Sequence, residues 1–359
     1  MLRVFEAFSG YGSQSIALRN LGIEHEVVAI SEIDKYAIKA YEAIHGPTLN
    51  LGDISKIDVN DIPQHDLFTY SFPCQDLSVA GKQKGLEKGT RSGLLYECEK
   101  VIEHCRPKYL LLENVKNLVG KKFKADFDKW LEYLEGLGYT NYWKVLNAKN
   151  YGVPQNRERV FVVSILGEHE PFEWPTPMPL DKCIADILEE QVDEKYYINK
   201  PFHLVNKGHQ AELDINGMEC IKRVYSTDKV SPALTTMQGG LREPKILTLP
   251  CICASRGRNP DNPSDRTPGA PTEQRLEFNT KGISNTITTV QKDNYAIQTD
   301  FKIRKLTPRE CFRLMGMRDD DIDKIQEAGI SNTQQYKLAG NSIVVDVLEA
   351  IFKNLFGEE

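Results

Sequence analysis

The chain has 359 residues, of which 40% are hydrophobic and 27% charged, and its formal net charge is −6. This composition excludes a disordered protein, and the length exceeds the roughly 250–300 residues that a single core supports, so we expect two domains. The N-terminus lacks a signal-peptide pattern and no apolar run could span a bilayer, which predicts a cytoplasmic protein without a membrane partner.

The first half of the chain alternates short apolar segments with helical patterns. Between these segments, apolar residues recur at the spacing of one helix face, as at Ala37, Ala40, Tyr41 and Ile44. Strands alternating with helices predict an α/β fold with a doubly wound, mostly parallel, Rossmann-like sheet. The predicted strands cover residues 3–8, 27–30, 67–72, 109–112 and 160–165.

The pattern changes at residues 171–179, PFEWPTPMP, where four prolines cannot continue a helix or a central strand. We place a domain boundary there. The first domain is predicted to cover residues 1–174 and to be completed by residues 330–359, which end in an amphipathic helix. Residues 175–329 are predicted to form a smaller, strand-and-loop domain.

The smaller domain contains a weak internal repeat, in which residues 226–238 (STDKVSPALTTMQ) resemble residues 279–291 (NTKGISNTITTVQ). A long polar loop with four arginines is predicted between the two repeats. Cys251 and Cys253 form a lone C-x-C without the further ligands that a zinc site needs, so no metal site is predicted.

A glycine-containing turn, FSGYG at residues 8–12, follows the first predicted strand. Glycines before a helix N-terminus let a ligand approach the backbone. Glu32 could bind ribose hydroxyls and Asp53 an adenine amino group, although each acid taken alone is more typical of a helix N-cap or a solvated turn. The dinucleotide fingerprint G-x-G-x-x-G is incomplete at Ser15, and with a cysteine at a strand end these features favour S-adenosylmethionine over NAD.

Cys74 follows the third predicted strand in the stretch SFPCQDLSV, residues 71–79. A cysteine within a strand is usually a small buried hydrophobe, but Pro73 restrains the backbone here and Cys74 lies past the strand end. Ligands of doubly wound sheets bind at the carboxyl ends of the strands, where Glu113 ends the neighbouring strand. A buried carboxyl tends to hold a proton, so Glu113 could neutralise a ring nitrogen while Cys74 adds to an electron-poor ring carbon.

Two arginines stand at alternate positions in QNRER, residues 155–159. On an extended backbone both guanidinium groups point to one face, where they could bind a carbonyl oxygen or phosphates. Taken alone, this stretch is equally typical of a surface ion-pair cluster.

Together, six motifs in this order resemble those of the bacterial cytosine-C5 DNA methyltransferases of restriction–modification systems. The resemblance covers residues 1–165 and 302–357, and it leaves the middle of the chain as a variable target-recognition domain. The motifs read Phe8-x-Gly10-x-Gly12, Phe72-Pro73-Cys74-Gln75, Glu113-Asn114-Val115, Gln155-x-Arg157-x-Arg159, Leu306-Thr307-Pro308-Arg309-Glu310-Cys311 and Gly340-Asn341-Ser342.

The resemblance implies a catalytic set. Cys74 would attack C6 of a flipped-out cytosine, so that C5 becomes nucleophilic and takes the methyl group. Glu113 would contact N3 and the exocyclic amine, and Arg159 would contact O2 with support from Arg157. Because a free thiol has a pKa of roughly 8.5, the site must favour the thiolate or couple its addition to protonation of the base.

The resemblance also implies S-adenosylmethionine as the cofactor. The residues expected to line its pocket are Phe8, Gly10, Gly12, Glu32, Ile33, Asp53, Ile54, Pro73, Leu95, Asn341 and Ser342.

The stretch after Cys74, residues 81–93, carries four basic side chains and recurring glycines. Its composition is typical of a solvated surface loop, whereas the resemblance implies a lid that closes on the DNA backbone around an extruded base. The DNA contacts expected between Cys74 and the end of this stretch come from Gln75, Ser78, Lys82, Lys84 and Arg91.

In the recognition domain, relatives carry a Thr followed by an aliphatic residue near the target base. Thr286 and Ile287 in the second repeat match this pattern, whereas the first repeat has Ala233-Leu234, so the sequence leaves open which repeat approaches the base. Arg256 and Arg258 are expected DNA contacts, because Arg is the commonest partner of guanine in the major groove, although they would serve equally on phosphates.

The expected physical partner is double-stranded DNA. A cognate restriction endonuclease is expected as a functional partner that does not bind the chain. We expect a monomer, since a flipped base needs one active site. One alternative is a tRNA cytosine-C5 methyltransferase of the Dnmt2 kind, which usually has Pro-Pro-Cys where this chain has Phe-Pro-Cys. A second is a catalytically silent DNA-binding regulator, which the presence of Cys74, Glu113 and Arg159 disfavours. A third is a small-molecule methyltransferase, for which the long recognition region with its arginine loop would have no purpose.

Overall fold

The computed structural model describes residues 1–73, 92–205, 208–237, 239–248, 252–258, 273–279, 294–296 and 302–357. The strands in this part of the chain, numbered in order, are β1 (Leu2–Ala7), β2 (His25–Ser31), β3 (Leu67–Tyr70), β4 (Tyr109–Val115), β5 (Tyr139–Asn147), β6 (Gln155–Asn156), β7 (Glu158–Leu166), β8 (Tyr197–Ile198), β9 (Phe202–Leu204), β10 (Ala211–Leu213), β11 (Arg223–Ser226), β12 (Ser231–Pro232), β13 (Lys245–Thr248), β14 (Ile252–Arg258), β15 (Glu273–Asn279), β16 (Asn294–Ala296) and β17 (Lys302–Lys305).

Helices flank the strands mainly in the first half and at the C-terminal end. They are α1 (Ser13–Asn20), α2 (Lys35–His45), α3 (Leu95–Cys105), α4 (Lys124–Gly136), α5 (Glu219–Lys222), α6 (Pro308–Arg313), α7 (Asp319–Glu327), α8 (Asn332–Asn341) and α9 (Val345–Phe356). Within the described residues, none of these helices combines the length and the apolar character needed to cross a membrane.

The chain divides into two compact units. The first comprises Met1–Cys183, Val230–Arg242 and Pro308–Glu359, and the second comprises Ile184–Lys229 and Glu243–Thr307. The first unit also contains residues that we predicted in the smaller domain, namely 175–183, 230–242 and 308–329. One physical reason is that the proline-rich stretch continues along the first unit, where the Tyr151 hydroxyl donates to the Pro175 carbonyl at 3.2 Å and Met178 N donates to Asn150 O at 2.9 Å. Prolines end regular structure there without ending the unit.

The main sheet of the first unit has the strand order β2-β1-β3-β4-β7-β5. Strands β2, β1, β3 and β4 are parallel to their neighbours, whereas β7 is antiparallel to β4 and β5 is antiparallel to β7. The predicted α/β fold with a mostly parallel sheet is therefore confirmed. Strand β5 was not predicted, and its position at the edge explains why its residues are only partly buried.

The core of the first unit is built from apolar strands covered by the apolar faces of helices. In the sheet, Phe68 stacks on Phe5 and on Tyr70 with ring centroids 5.2 Å apart in both pairs. The C-terminal helix α9 returns to α1, where Asn20 Nδ2 donates to Glu349 Oε1 at 2.7 Å. Burial of these large side chains stabilises the sheet, and the carboxyl ends of its strands carry the candidate site.

The second unit is built on a sheet with the strand order β8-β17-β13-β11-β10-β9. Its small core contains Ala211, Leu213, Val224, Leu247 and Ile303. A separate sheet has the order β15-β14-β16.

The prediction of a polar loop between the two repeats is wrong in part, because both ends of this stretch lie in strands that pair with each other. β14 and β15 pair antiparallel, with Arg256 opposite Arg275. The predicted DNA contacts Arg256 and Arg258 therefore lie in strand β14.

Candidate active site

A cavity of about 350 Å³ lies at the carboxyl ends of β1, β2, β3 and β4 in the first unit. This is the edge at which doubly wound sheets bind their ligands. The predicted site residues that line the cavity are Phe8, Gly10, Glu32, Ile33, Asp53, Ile54, Pro73, Glu113, Arg157, Arg159, Asn341 and Ser342. The fold therefore brings the turn at residues 8–10, the stretch 341–342 and five stretches between them to one place.

Two residues predicted to line the pocket lie behind its wall. Gly12 faces helix α2, where a Cβ would come within 2.5 Å of His45 Nε2, so this glycine is required for close packing of the helix. Gly10 is different, since no atom lies within 4 Å of a Cβ added there. Leu95 is buried in the core, and its neighbour Leu94 lines the cavity in its place.

Glu32 sits at the end of β2 with its carboxylate held by backbone groups. Its Oε2 accepts from Gly10 N at 3.0 Å, and its Oε1 accepts from Ile33 N and Asp34 N, both at 2.8 Å. The glycine turn after β1 and the turn after β2 are thereby joined through one side chain. Ile33 next to it is 73% exposed on the cavity wall, an unusual position for a large apolar side chain.

Asp53 caps a turn at the cavity, and its contact with an adenine amino group stays a prediction. It caps a short 3₁₀ helix (Ile54–Lys56), with Oδ1 accepting from Ser55 N at 3.1 Å and from the Ser55 hydroxyl at 2.8 Å. It also lines the cavity. Asn50 holds this turn beside β2, since its Oδ1 accepts from Gly52 N at 2.9 Å and from Glu32 N at 3.2 Å.

Glu113 and Arg159, which both line the cavity, form an ion pair. Arg159 Nε lies 3.0 Å from Glu113 Oε1, and the side chains are 19% and 10% exposed. Burial raises the pKa of Glu113, while the positive charges of Arg159 and Arg157 act in the opposite direction without cancelling the increase. The site thus contains an acid whose pKa is raised by burial, although a guanidinium group lies beside it.

Asn114 connects this acid to the stretch that precedes Cys74. Its Nδ2 donates to the carbonyl of Phe72 at 3.0 Å, and its Oδ1 accepts from Val115 N at 2.9 Å. The end of β4 therefore fixes the backbone just before Pro73, which lines the cavity. The motif Glu113-Asn114-Val115 drew attention to this residue, but only the structure shows what its amide binds.

Arg157 is buried and binds backbone carbonyls from two distant stretches. Nη1 donates to Leu234 O at 3.0 Å, and Nη2 donates to Gly340 O at 3.1 Å and to Ser342 O at 2.7 Å. With only 3% of its surface exposed, Arg157 holds the stretch 340–342 in place at the cavity. We therefore propose a positioning role for Arg157 in place of the predicted direct support of catalysis.

Gln155 reinforces the same arrangement and was missed as a functional residue. Its Oε1 accepts from Leu234 N at 3.0 Å, and its Nε2 donates to Leu314 O at 2.6 Å. Gly340 allows the close approach, because a Cβ there would lie 1.9 Å from Thr235 O. Within the first unit, Leu234 of the first repeat is thus fixed to Gln155 and Arg157, and Ser231–Pro232 pairs with Gln155–Asn156.

We expect Arg157→Ala to lower the free energy of unfolding by about 3 kcal/mol, because it leaves three buried carbonyl groups without their donor. Urea denaturation of the purified variant measures this loss. Arg159→Ala is the matched control and should cost less than half as much, since the Glu113 carboxyl can take up a proton when its partner is lost. Equal losses in the two variants would show that Arg157 has no special positioning role.

Several predicted site residues lie outside the described residues. They are Cys74, Gln75, Ser78, Lys82, Lys84, Arg91, Thr286 and Ile287. Their roles stay predictions.

The fold and the cavity define a class: a doubly wound α/β domain with an acid–guanidinium pair and a backbone-bound carboxylate at one ligand site. A family model described as "C-5 cytosine-specific DNA methylase" matches residues 2–357. The chain belongs to this family, which confirms the resemblance seen in its motifs.

Curated relatives match over nearly the whole chain. The type II methyltransferase M2.ScrFI of Lactococcus lactis subsp. cremoris is 38% identical over 99% of each chain. The orphan methyltransferase M.SPBetaI of Bacillus phage SPbeta is 37% identical over 99% of this chain and 97% of its own. Among solved structures, the Dnmt2 methyltransferase of S. pombe covers 98% of this chain and 97% of its own with a TM-score of 0.64 at 22% identity, a likeness of fold.

Proposed function

We propose that this chain is a DNA (cytosine-5-)-methyltransferase that transfers a methyl group from S-adenosylmethionine to C5 of a flipped-out cytosine in a short, specific duplex sequence. The observation that carries the proposal is the single cavity where the Glu113–Arg159 pair, the Glu32 carboxylate and Pro73 meet. Membership of the C-5 cytosine-specific DNA methylase family supports the reaction and the DNA substrate.

The residues around the cavity suit S-adenosylmethionine. A volume of about 350 Å³ lies within the roughly 300–1,000 Å³ of small-molecule sites. The exposed face of Ile33 offers apolar surface to a purine ring, and Glu32, which lines the cavity, is proposed to accept from ribose hydroxyl groups. Open space at Gly10 leaves room beside the backbone. When bound, this cofactor supplies an electrophilic methyl group.

The protein's own groups would prepare the cytosine to accept that methyl group. The Cys74 thiolate forms a bond to C6, and Glu113 donates its proton toward N3, so that C5 gains electron density. Arg159 lies 3.0 Å from Glu113 and is proposed to bind O2 of the base while it orients the carboxyl. After C5 has taken the methyl group, C5 loses its proton to a base and the sulfur–C6 bond breaks to give back the Cys74 thiolate. N3 returns its proton to Glu113, which leaves 5-methylcytosine.

We further propose that the enzyme is the modification part of a restriction–modification system. Relatives named as type II methyltransferases in Lactococcus lactis and Shigella sonnei support this setting. A second relative is named as an orphan methyltransferase, and the fold resembles a Dnmt2 methyltransferase, so the test includes a tRNA substrate.

The deciding experiment incubates purified protein with S-adenosylmethionine and genomic DNA that lacks cytosine-C5 methylation, followed by bisulfite sequencing. Total tRNA is treated in parallel, and reactions without the cofactor serve as the control. We expect protected cytosines within one short DNA motif and none in tRNA. Methylation of tRNA alone would replace the proposal with a tRNA methyltransferase, and cofactor binding without methylation of either substrate would favour the silent regulator.

A further inference from the structure

An ion pair joins two walls of the cavity that are far apart in the sequence. Lys337 Nζ on α8 donates to Asp34 Oδ2 at 2.5 Å, across a separation of 303 residues. Both residues line the cavity. No motif drew attention to either residue.

Each partner is attached to a wall that the proposed cofactor would touch. Asp34 directly follows the exposed Ile33, and its backbone N–H donates to Glu32 Oε1 at 2.8 Å. Lys337 lies one helical turn before Gly340, whose carbonyl Arg157 binds at 3.1 Å. Any movement that separates these two walls therefore has to break the ion pair between Asp34 and Lys337.

The two oxygens of Asp34 perform separate tasks. Oδ1 accepts from Tyr36 N at 2.9 Å and caps helix α2, whereas Oδ2 receives Lys337. Burial alone would raise the pKa of Asp34, but the hydrogen bonds from Lys337 and Tyr36 N lower it below its ordinary value. The side chains of Lys337 and Asp34 are 29% and 24% exposed, so the pair is less screened by solvent than a fully exposed one.

We propose that the Asp34–Lys337 pair is a latch on the cofactor cavity, which must open before the cofactor or its demethylated product can leave. This inference rests on the proposed function, because it assumes that the cavity binds S-adenosylmethionine. The latch slows exchange by holding the turn after β2 against α8. It is a positioning device and takes no part in the chemical step.

The test measures the dissociation rate of S-adenosylhomocysteine from the whole protein in a chase experiment with labelled ligand. The variants are Asp34→Asn, Lys337→Met and the double variant. Asn is as good an N-cap as Asp, so Asp34→Asn loses the ion pair and keeps the start of α2. We expect each single variant to release the ligand about fivefold faster, and the double variant no faster than either single one.

The control is the pair Lys124 and Asp128 on α4, which has the same 2.5 Å separation, lies outside the cavity lining and is more exposed, at 38% and 43%. Lys124→Met and Asp128→Asn should leave the dissociation rate unchanged. High salt should speed release from the wild type and have little effect on the latch variants, because salt screens the ion pair.

Unchanged dissociation rates in the Asp34 and Lys337 variants would overturn the latch. Additive increases in the dissociation rate of the double variant would also overturn it, because they would mean that Lys337 contacts the ligand independently of Asp34. If the wild type binds and methylates normally, these outcomes leave the proposed function standing. A wild-type protein that binds neither S-adenosylmethionine nor its product would overturn the latch and the proposed function together.

Discussion

Cys74→Ala is expected to reduce methyl transfer to DNA by at least about 10⁴-fold, the order of loss that follows removal of an enzymatic nucleophile. Without a sulfur to add at C6, C5 of cytosine does not become nucleophilic enough to take the methyl group. The affinity for S-adenosylmethionine should stay within about twofold of the wild type, because the proposed contacts to it come from Ile33, Glu32 and Gly10.

Two measurements check this prediction. Methyl transfer is followed with labelled cofactor on duplex DNA that contains the motif found by bisulfite sequencing. A covalent complex is sought on denaturing gels with 5-fluorocytosine at the target, since fluorine does not leave C5 as a proton does and the adduct persists. The wild type should form this adduct and Cys74→Ala should not.

Cys220→Ala is the control for the loss of a thiol, because Cys220 is an exposed free cysteine of the second unit. It should methylate DNA at the wild-type rate. Residual adduct formation by Cys74→Ala would assign the nucleophile to another residue.

Glu113→Gln is expected to lower the rate of methyl transfer by about 10²- to 10³-fold, in the range that general acid catalysis contributes. Glutamine keeps the shape of the side chain and can still face Arg159, but it has no acidic proton to give to N3 of the base. Cofactor binding should be nearly unchanged, because Glu113 lies on β4, separated in the sheet by β1 and β3 from β2, which Glu32 follows, and because its proposed partner is the cytosine. Single-turnover methylation with saturating DNA measures this chemical step.

The pH profile tests the role of the proton directly. Burial raises the pKa of Glu113, so its protonated form persists to higher pH than that of an exposed glutamate. The rate in the wild type should fall as pH rises through this pKa, because the acid form is the active one. The falling limb should be absent in Glu113→Gln.

Glu158→Gln is the matched control, since Glu158 is an exposed acid nearby that pairs with Lys116 at 2.9 Å. Its rate and pH profile should match the wild type. An identical falling limb in wild type and Glu113→Gln would assign the titration to another group and refute the acid role.

The sequence by itself was sufficient to predict the alternation of strands and helices in the first half of the chain. That prediction depends on local periodicity, and β1 to β4 with their helices formed where the apolar spacing placed them. The same logic predicted that Phe8, Glu32, Pro73 and Glu113 would lie near one another, because each follows or ends a parallel strand and such ends meet at one edge; all four line the cavity.

Local patterns were insufficient where a residue's surroundings come from elsewhere in the chain. Helices α6 to α8 were not predicted, and the ends of the polar loop became strands β14 and β15 by pairing with each other. Leu94 lines the cavity, whereas Leu95 was predicted to do so. A shift of one residue turns a side chain by about 100° around a helix axis, which local patterns do not resolve.

Tertiary structure alone decided what Arg157 and Asp34 bind. The alternate spacing of Arg157 and Arg159 predicted one shared face, yet Arg159 reaches Glu113 while Arg157 turns to carbonyl groups of Leu234, Gly340 and Ser342. Asp34 finds Lys337 from 303 residues away. Sequence encodes such partners only through the complete fold, because a buried donor takes whichever acceptor packing brings within about 3 Å.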